Sequence, residues 1–378
     1  MTNPNWKPAT LAAHAMGAVG RKGGVVPGLE VATTFRRDTD YALQAPSSYA
    51  RDFNATVQEA EAVVQAFEGA QATRLFPSGM AAVAALFRTL PQGARVVMQS
   101  GIYWGVTAWA RGFCTRRGLV LDEVDASDLS ALSKALASPA ALVWIETPSN
   151  PWLRVTDIAA VADMAHNAGA LLAVDGTAAT PVLTRALDFG ADISMHSATK
   201  ALNGHSDVVA GCLSTNAPDS EVWQAICADR QEAGAILGPF EAWLLMRGMR
   251  TLPLRMERMC ANAQRLAEAL QAHDGIEAVW YPGLSSHPGY DITQRQMCGG
   301  AGSLMSVLVR GCAKEALGVA ARLNLFHSAT SLGGVESLVE HRATIEPHSG
   351  IPENLLRLSV GIEDMGDLIA DFEQALKG

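Results

Sequence analysis

A lysine stands in the run Ser197-Ala198-Thr199-Lys200-Ala201-Leu202-Asn203-Gly204-His205, directly after an apolar stretch and ahead of a glycine turn. An isolated ammonium buried there would be costly to hold. An amine that forms a Schiff base escapes that cost and becomes a covalent anchor. Ser197 and Thr199 lie close enough along the chain to hydrogen-bond a phosphate beside it. On position alone, a surface lysine after a strand explains Lys200 equally well, because lysines are mostly exposed.

Twenty-five positions earlier, Leu171-Leu172-Ala173-Val174-Asp175 puts a carboxylate at the tip of another apolar run. Pyridoxal phosphate (PLP) is an electron sink only while its ring nitrogen is protonated, and a facing carboxylate favours that proton. A helix cap is the ordinary alternative for an Asp at such a turn. Pro77-Ser78-Gly79-Met80-Ala81-Ala82 opens a helical stretch, where backbone N–H groups and the helix dipole suit a phosphate; plain capping produces the same pattern. Tyr103 follows the run at 95–99 and can stack on a ring, although a lone Tyr also serves as core or rim.

The elements that must position these groups read as follows. Short apolar runs at 95–99, 141–146, 171–175, 193–197 and 209–214 are predicted strands. The stretches 80–90, 129–137 and 158–168 are predicted helices between them. Strands apolar on both faces and separated by helices imply an α/β fold with a mainly parallel central sheet covered on both sides. Ligands of such sheets sit at the carboxyl ends of strands, where Asp175 and Lys200 fall. A helical stretch at 239–270, broken around 251–253, leads to a smaller α/β C-terminal domain with a strand at 303–309 and a last helix near 367–376. Residues 1–50 lack periodicity and read as an extended arm that needs another surface, such as a neighbouring subunit, to order it. The expected domains are therefore 1–50 (arm), 51–251 (large, cofactor-binding) and 252–378 (C-terminal).

Composition narrows the field. Of 378 residues, 49% are hydrophobic and 18% charged, enough for a large packed core. A formal charge of −9 leaves no electrostatic footprint for nucleic acid. No apolar run reaches membrane-spanning length and no secretory signal opens the chain, so a cytoplasmic enzyme is expected. Six cysteines without a CxxC pair argue against a metal ribbon or a disulfide framework, and most are expected to be small buried residues. No metal is expected. No G-x-G-x-x-G joins a strand to a helix, which disfavours a dinucleotide oxidoreductase.

SATKALNGHSDVVAG from Ser197, ETPSNP (146–151), SLGGVESL (331–338) and RLSVGIED (357–364) resemble the signatures of the Cys/Met-metabolism PLP enzymes, in order and spacing, from about residue 30 to the C-terminus. That family includes cystathionine γ-synthases, cystathionine γ- and β-lyases and methionine γ-lyases of transsulfuration. The resemblance implies PLP-dependent transferase fold type I. It implies Lys200 as Schiff-base lysine and proton shuttle, Asp175 on the pyridine nitrogen, and Tyr103 stacked on the ring and aiding proton transfer. Ser78, Gly79, Met80, Ser197 and Thr199 would hold the phosphate, and Asn150 would lie near the phenolic oxygen. Tyr49 and Arg51 would reach the phosphate of an adjacent subunit, in a homo-oligomer with shared active sites expected as a tetramer (a dimer of dimers). Arg357 would clamp the substrate α-carboxylate, for which a bidentate guanidinium is well suited; Ser331, Thr330 and Trp104 would line the substrate side. A catalytically silent scaffold is disfavoured because Lys200, Asp175, Tyr103 and Arg357 are all present.

The chain departs from its relatives at several points. The usual Asp-Asn-Thr reads Asp175-Gly176-Thr177, the usual Tyr-Gly-Gly reads Tyr103-Trp104-Gly105, and the Asn-Pro-Thr after the arm's arginine reads Asn54-Ala55-Thr56. Cystathionine-handling γ-enzymes resemble one another in a Glu where this chain has Thr330, suited to a distal ammonium. A stretch usually ending Pro-Ala-Ser-Met-Thr-His reads Arg342-Ala343-Thr344-Ile345-Glu346-Pro347. Arg342 and Glu346 either recognise a differently shaped distal group or are solvent-facing rim charges. The expected activity is β- or γ-elimination from a sulfur-containing or analogous amino acid, giving a 2-oxo acid and ammonia. The alternative is γ-replacement on an O-acylhomoserine by a thiol.

Overall fold

The computed structural model describes residues 6–14 and 24–377. The parts of the expected arm at 1–5 and 15–23 lie outside the described residues. Twelve strands occur among those described: β1 (Ala72–Phe76), β2 (Arg95–Gln99), β3 (Val120–Val124), β4 (Leu142–Glu146), β5 (Leu171–Asp175), β6 (Ile193–His196), β7 (Gly211–Thr215), β8 (Ile276–Trp280), β9 (Leu304–Val309), β10 (His327–Ser328), β11 (Leu338–His341) and β12 (Leu355–Ser359). The chain divides into two compact units, each made of two stretches: 1–91 with 192–253, and 92–191 with 254–378.

In the first unit β7 pairs antiparallel with β1 on one side and β6 on the other. Helix Gly79–Arg88 begins where Ser78 caps the amide of Ala81 at 3.0 Å. Helix Ala55–Glu68 starts on Asn54, whose side chain accepts from Val57, and stops at Gly69 in the left-handed conformation, the usual terminator because glycine lacks the Cβ that clashes there. Arg88 grips Asp229 through two bonds of 2.7 and 2.6 Å. Glu61 lies buried between Arg74 and Arg230; burial pushes its carboxyl up while both guanidiniums pull it down. Segment 24–54 is not wholly extended: isolated bridges Thr34–Tyr49 and Arg37–Leu43 fold it back on itself. Pro8–His14 is helical, where no periodicity had marked a helix.

In the second unit β5, β4, β2 and β3 lie side by side, all parallel. β4 and β5 are almost wholly buried, as expected of parallel strands between helical layers. Helices Leu129–Ala135 and Ile158–Asn167 are each started by an aspartate cap, Asp128 and Asp157. A second sheet, in the order β10-β11-β12-β9-β8, packs against helices Ala313–Arg322 and Met365–Lys377 through Val307, Leu356, Leu358, Val319 and Phe372. Phe326 meets Phe372 edge to face at 5.0 Å.

Predicted strands and helices match these elements to within a few residues. β1, β3, β8, β10, β11 and β12 were not anticipated, and the run at 209–214 starts as a strand only at Gly211. Cysteine burial is a correction: Cys114, Cys212 and Cys260 are buried, Cys227 is half-buried, and Cys298 and Cys312 are exposed. No described helix is long and apolar enough to cross a membrane.

Candidate active site

In the first unit the segments expected to hold a phosphate come together. Ser78 accepts from Ala81 and keeps its hydroxyl proton to donate, while the amides of Gly79 and Met80, in the first helical turn, have no acceptor within the helix. Gly79 sits against the end of β6: a Cβ there would lie 3.0 Å from Ser197 Cβ. A Cβ at Gly211 would overlap the Ser78 carbonyl. Two glycines thus let helix, strand and turn approach closely at a helix start, the kind of place where backbone amides suit an anion. Beyond β6 the chain turns at once, with Lys200 N–H donating to Ser197 O at 3.1 Å and Gly204 N–H to Lys200 O at 2.8 Å. Lys200 is half-buried. The Thr199 hydroxyl is committed elsewhere: it donates to Ala210 O at 3.1 Å and accepts from Ala210 N at 2.9 Å. Tyr49 is 49% exposed and lies 5.9 Å under the Arg51 guanidinium.

In the second unit the parallel register aligns Glu146 with Asp175 at the carboxyl ends of β4 and β5. Both are buried. Asp175 accepts from Thr177 N at 2.9 Å, a local turn bond. Burial, then Asp175, push the Glu146 carboxyl up to about 8. A carboxyl raised that far holds its proton at neutral pH and leaves Asp175 to carry the charge of the pair, which suits a cation or a protonated ring nitrogen nearby. Glu146 also organises what surrounds it. Its two oxygens accept from Tyr103 N at 2.9 Å and Asn150 N at 2.7 Å. It thereby fixes both the start of helix Trp104–Arg117 and the ETPSNP turn, in which the bonds before Pro148 and Pro151 are cis. The Tyr103 ring folds over Gly105, where a Cβ would meet Tyr103 Cε1 at 2.6 Å. Tyr103 and Trp104 are 37% and 44% exposed, with ring centroids 6.3 Å apart.

Arg357 on β12 is buried and faces Glu340 on β11, its register partner. Its Nη2 donates to Ser331 O at 2.8 Å and lies 2.8 Å from Glu340 Oε2; its Nη1 reaches Asn150 Oδ1 at 3.5 Å. Burial pushes this guanidinium down to about 10, still charged at neutral pH. Glu340 also accepts from the Thr330 hydroxyl and from Arg342 Nη1, each at 2.6 Å. Burial works against the Glu340 carboxylate, yet Arg357, Thr330 and Arg342 hold it below its usual range. Arg342 is 1% exposed and also pairs with Glu346. The rim-charge expectation for Arg342 and Glu346 is therefore overturned: the pair is internal, bonded through a one-turn i,i+4 step after β11.

Sequence reading passed over Glu146 and Glu340. Both end or line strands, and Glu146 shares with Asp175 the pattern of an acid closing an apolar run.

Helix-start amides and a strand-end lysine in the first unit, and a buried strand-end carboxylate in the second, are groups of the kind that a PLP enzyme uses. Residues 9–377 match the family described as Cys/Met metabolism PLP-dependent enzyme, and the chain belongs to that family. It is 41% identical to the cystathionine gamma-synthase of Mycobacterium bovis, over 98% of this chain and 96% of that one. It is 39% identical to the cystathionine gamma-lyase of Dictyostelium discoideum, over 100% and 99%. The crystal structure of metB from Corynebacterium glutamicum superposes with a TM-score of 0.95 at 38% identity, covering 100% and 99% of the two chains.

Proposed function

We propose that the protein is a PLP-dependent lyase that eliminates a β- or γ-substituent from a sulfur-containing or analogous amino acid, yielding a 2-oxo acid and ammonia. When bound, PLP supplies an electron sink for the pair left at the substrate Cα. The residues of the chain do the rest. Lys200 would hold the cofactor through its Nζ and would be the base that takes the Cα proton. Asp175, with Glu146 beside it, favours a proton on the ring nitrogen. Gly79, Met80, Ser78 and Ser197 bind the phosphate, Thr199 helps to position them through Ala210, and Tyr49 and Arg51 of a second copy complete the cup. Asn150 lies near the phenolic oxygen. Arg357 orients the α-carboxylate, Tyr103 stacks and assists proton transfer, and Ser331, Thr330 and Trp104 border the substrate. The arm at 1–50, the cofactor domain at 51–251 and the C-terminal domain at 252–378 are the proposed working parts, in a tetramer in the cytoplasm.

The observation that carries the lyase reading is Thr330. Its hydroxyl is spent on Glu340 at 2.6 Å, so this position offers no carboxylate to a distal substrate ammonium. The synthase of M. bovis, 41% identical, supports a second reading, γ-replacement on an O-acylhomoserine. The test is a product assay on the yellow holoenzyme. Release of 2-oxo acid and ammonia from a panel of sulfur amino acids is expected. A thioether formed from O-acylhomoserine and cysteine, without 2-oxo acid, would establish replacement instead. Lys200→Ala should abolish both the borohydride-bleachable colour and turnover; a colourless parent that takes up no PLP sinks the proposal.

A further inference from the structure

Four charges are clustered in the second unit: Glu340, Arg342 and Arg357, all buried, and the half-buried Glu346. Arg357 alone needs only one counterion. A single carboxylate opposite it, on the facing strand, is well placed to form a closed two-bond pair, which would leave nothing for a ligand. The geometry differs. Glu340 gives Arg357 only Oε2, and shares that oxygen with Arg342 Nη1 at 2.6 Å. Its other oxygen is taken by Thr330. Arg357 Nε has no partner although it is buried. A buried guanidinium donor without an acceptor is costly and marks a place where a ligand supplies one.

We propose that Arg342 is a positioning residue for the substrate carboxylate: with Thr330 holding Oε1, Arg342 draws on Oε2, the one oxygen that Glu340 gives Arg357, and so keeps Glu340 from saturating Arg357. This rests on the reading of Arg357 as the carboxylate clamp. Arg342 also balances charge. With it, two guanidiniums face two carboxylates. Without it, the cluster carries one surplus negative charge beside the place an anion must enter, and like charges at close range repel strongly in a dry site. Glu346, one helical turn on, fixes the far end of Arg342 and so fixes which oxygen of Glu340 it can reach. The consequence is specificity: substrates are selected for a carboxylate over an uncharged group at this position by a residue that acts through Glu340.

The test uses the holoenzyme and two probes, 4-(methylthio)butanoate and its amide, whose ratio of dissociation constants by calorimetry reports carboxylate preference. Arg342→Met alone leaves the half-buried Glu346 without its cation, so the variant of choice is Arg342→Met with Glu346→Gln, checked for an unshifted melting temperature. Its carboxylate preference should fall about tenfold. Adding Glu340→Gln should restore it to within about twofold, because the competing charge is gone. An unchanged preference in the double variant overturns the proposal, as does a failure of Glu340→Gln to restore it. Arg357→Met separates the two layers. If it leaves the parent's preference intact, the clamp reading itself is wrong; if it abolishes the preference while the double variant behaves as the parent, only the role of Arg342 fails.

Discussion

Glu146 and Asp175 are register partners at the carboxyl ends of adjacent parallel strands, both buried, and Glu146 anchors by its two oxygens the amides of Tyr103 and Asn150. Glu146 thus holds the frame around the strand ends, with the Asp175 carboxyl beside it. The arrangement is expensive, and the expense varies with pH.

Burial, then Asp175, raise Glu146 from an ordinary 4.5 to about 8. A carboxyl that binds its proton more tightly folded than unfolded contributes stability that is complete below the ordinary value and lost as pH climbs through the raised one. Stability should therefore decline between about pH 4.5 and pH 8. Glu146→Gln keeps one amide acceptor and removes the titration, at a fixed cost of about 1–3 kcal/mol for the oxygen replaced. The gap in melting temperature between parent and variant should shrink or reverse from pH 5 to pH 8. A gap that stays constant over that range contradicts this account.

Gly105→Ala tests the placement of Tyr103. A methyl group there would sit 2.6 Å from Tyr103 Cε1, so the ring must swing away. Alanine favours a helix over glycine by about 1 kcal/mol, and the fold should not suffer. The expected pattern is an unchanged or higher melting temperature with kcat down about tenfold to a hundredfold, the usual cost of displacing a positioned group by an ångström. Equal losses in stability and turnover would mean that Tyr103 is simply packing.

Legibility followed burial. β4 and β5 were readable because strands shut in on both faces must be apolar throughout, and Asp175 stood out against that background. β3, Val120-Leu121-Asp122-Glu123-Val124, pairs only with β2 and is half open to solvent, so its acids masked it. β1 carries Thr73, bonded to Ser214 far along the chain, and Arg74, bonded to Glu61 on the preceding helix, and local patterning cannot announce such contacts. The lysine turn and the capped glycine helix could be read because their chemistry is local. Glu340 and Arg342 could not: their meaning lies in Arg357, on the next strand, and only the register brings the three together.

Gly211→Ala probes the phosphate cradle. Its methyl would overlap the Ser78 carbonyl and sit 2.7 Å from Gly79 Cα, both backbone atoms with little room to yield. Stability should drop by about 1–3 kcal/mol, and PLP should dissociate more readily on dialysis. Full cofactor retention would show that the helix start can retreat without losing its amides.

Phe372→Ala should be felt in the fold alone. The ring is buried against Phe326 and the second sheet, and its removal should cost about 3–5 kcal/mol. The fraction that remains folded should keep its KM. A changed KM would mean that this core reaches the substrate pocket.

The two units are threaded through one another in sequence: the first is not complete until residue 253 has been made, and the second opens at 92 and resumes only at 254. During synthesis, then, the 92–191 segment, which carries the parallel strands β2 to β5, is made before the rest of its own unit and before the first unit is complete. The apolar strand edges of that half-built unit are the part of the nascent chain most open to misassociation. Splitting the gene at any single point leaves at least one unit cut in two, so the enzyme is inherited, made and lost as a whole.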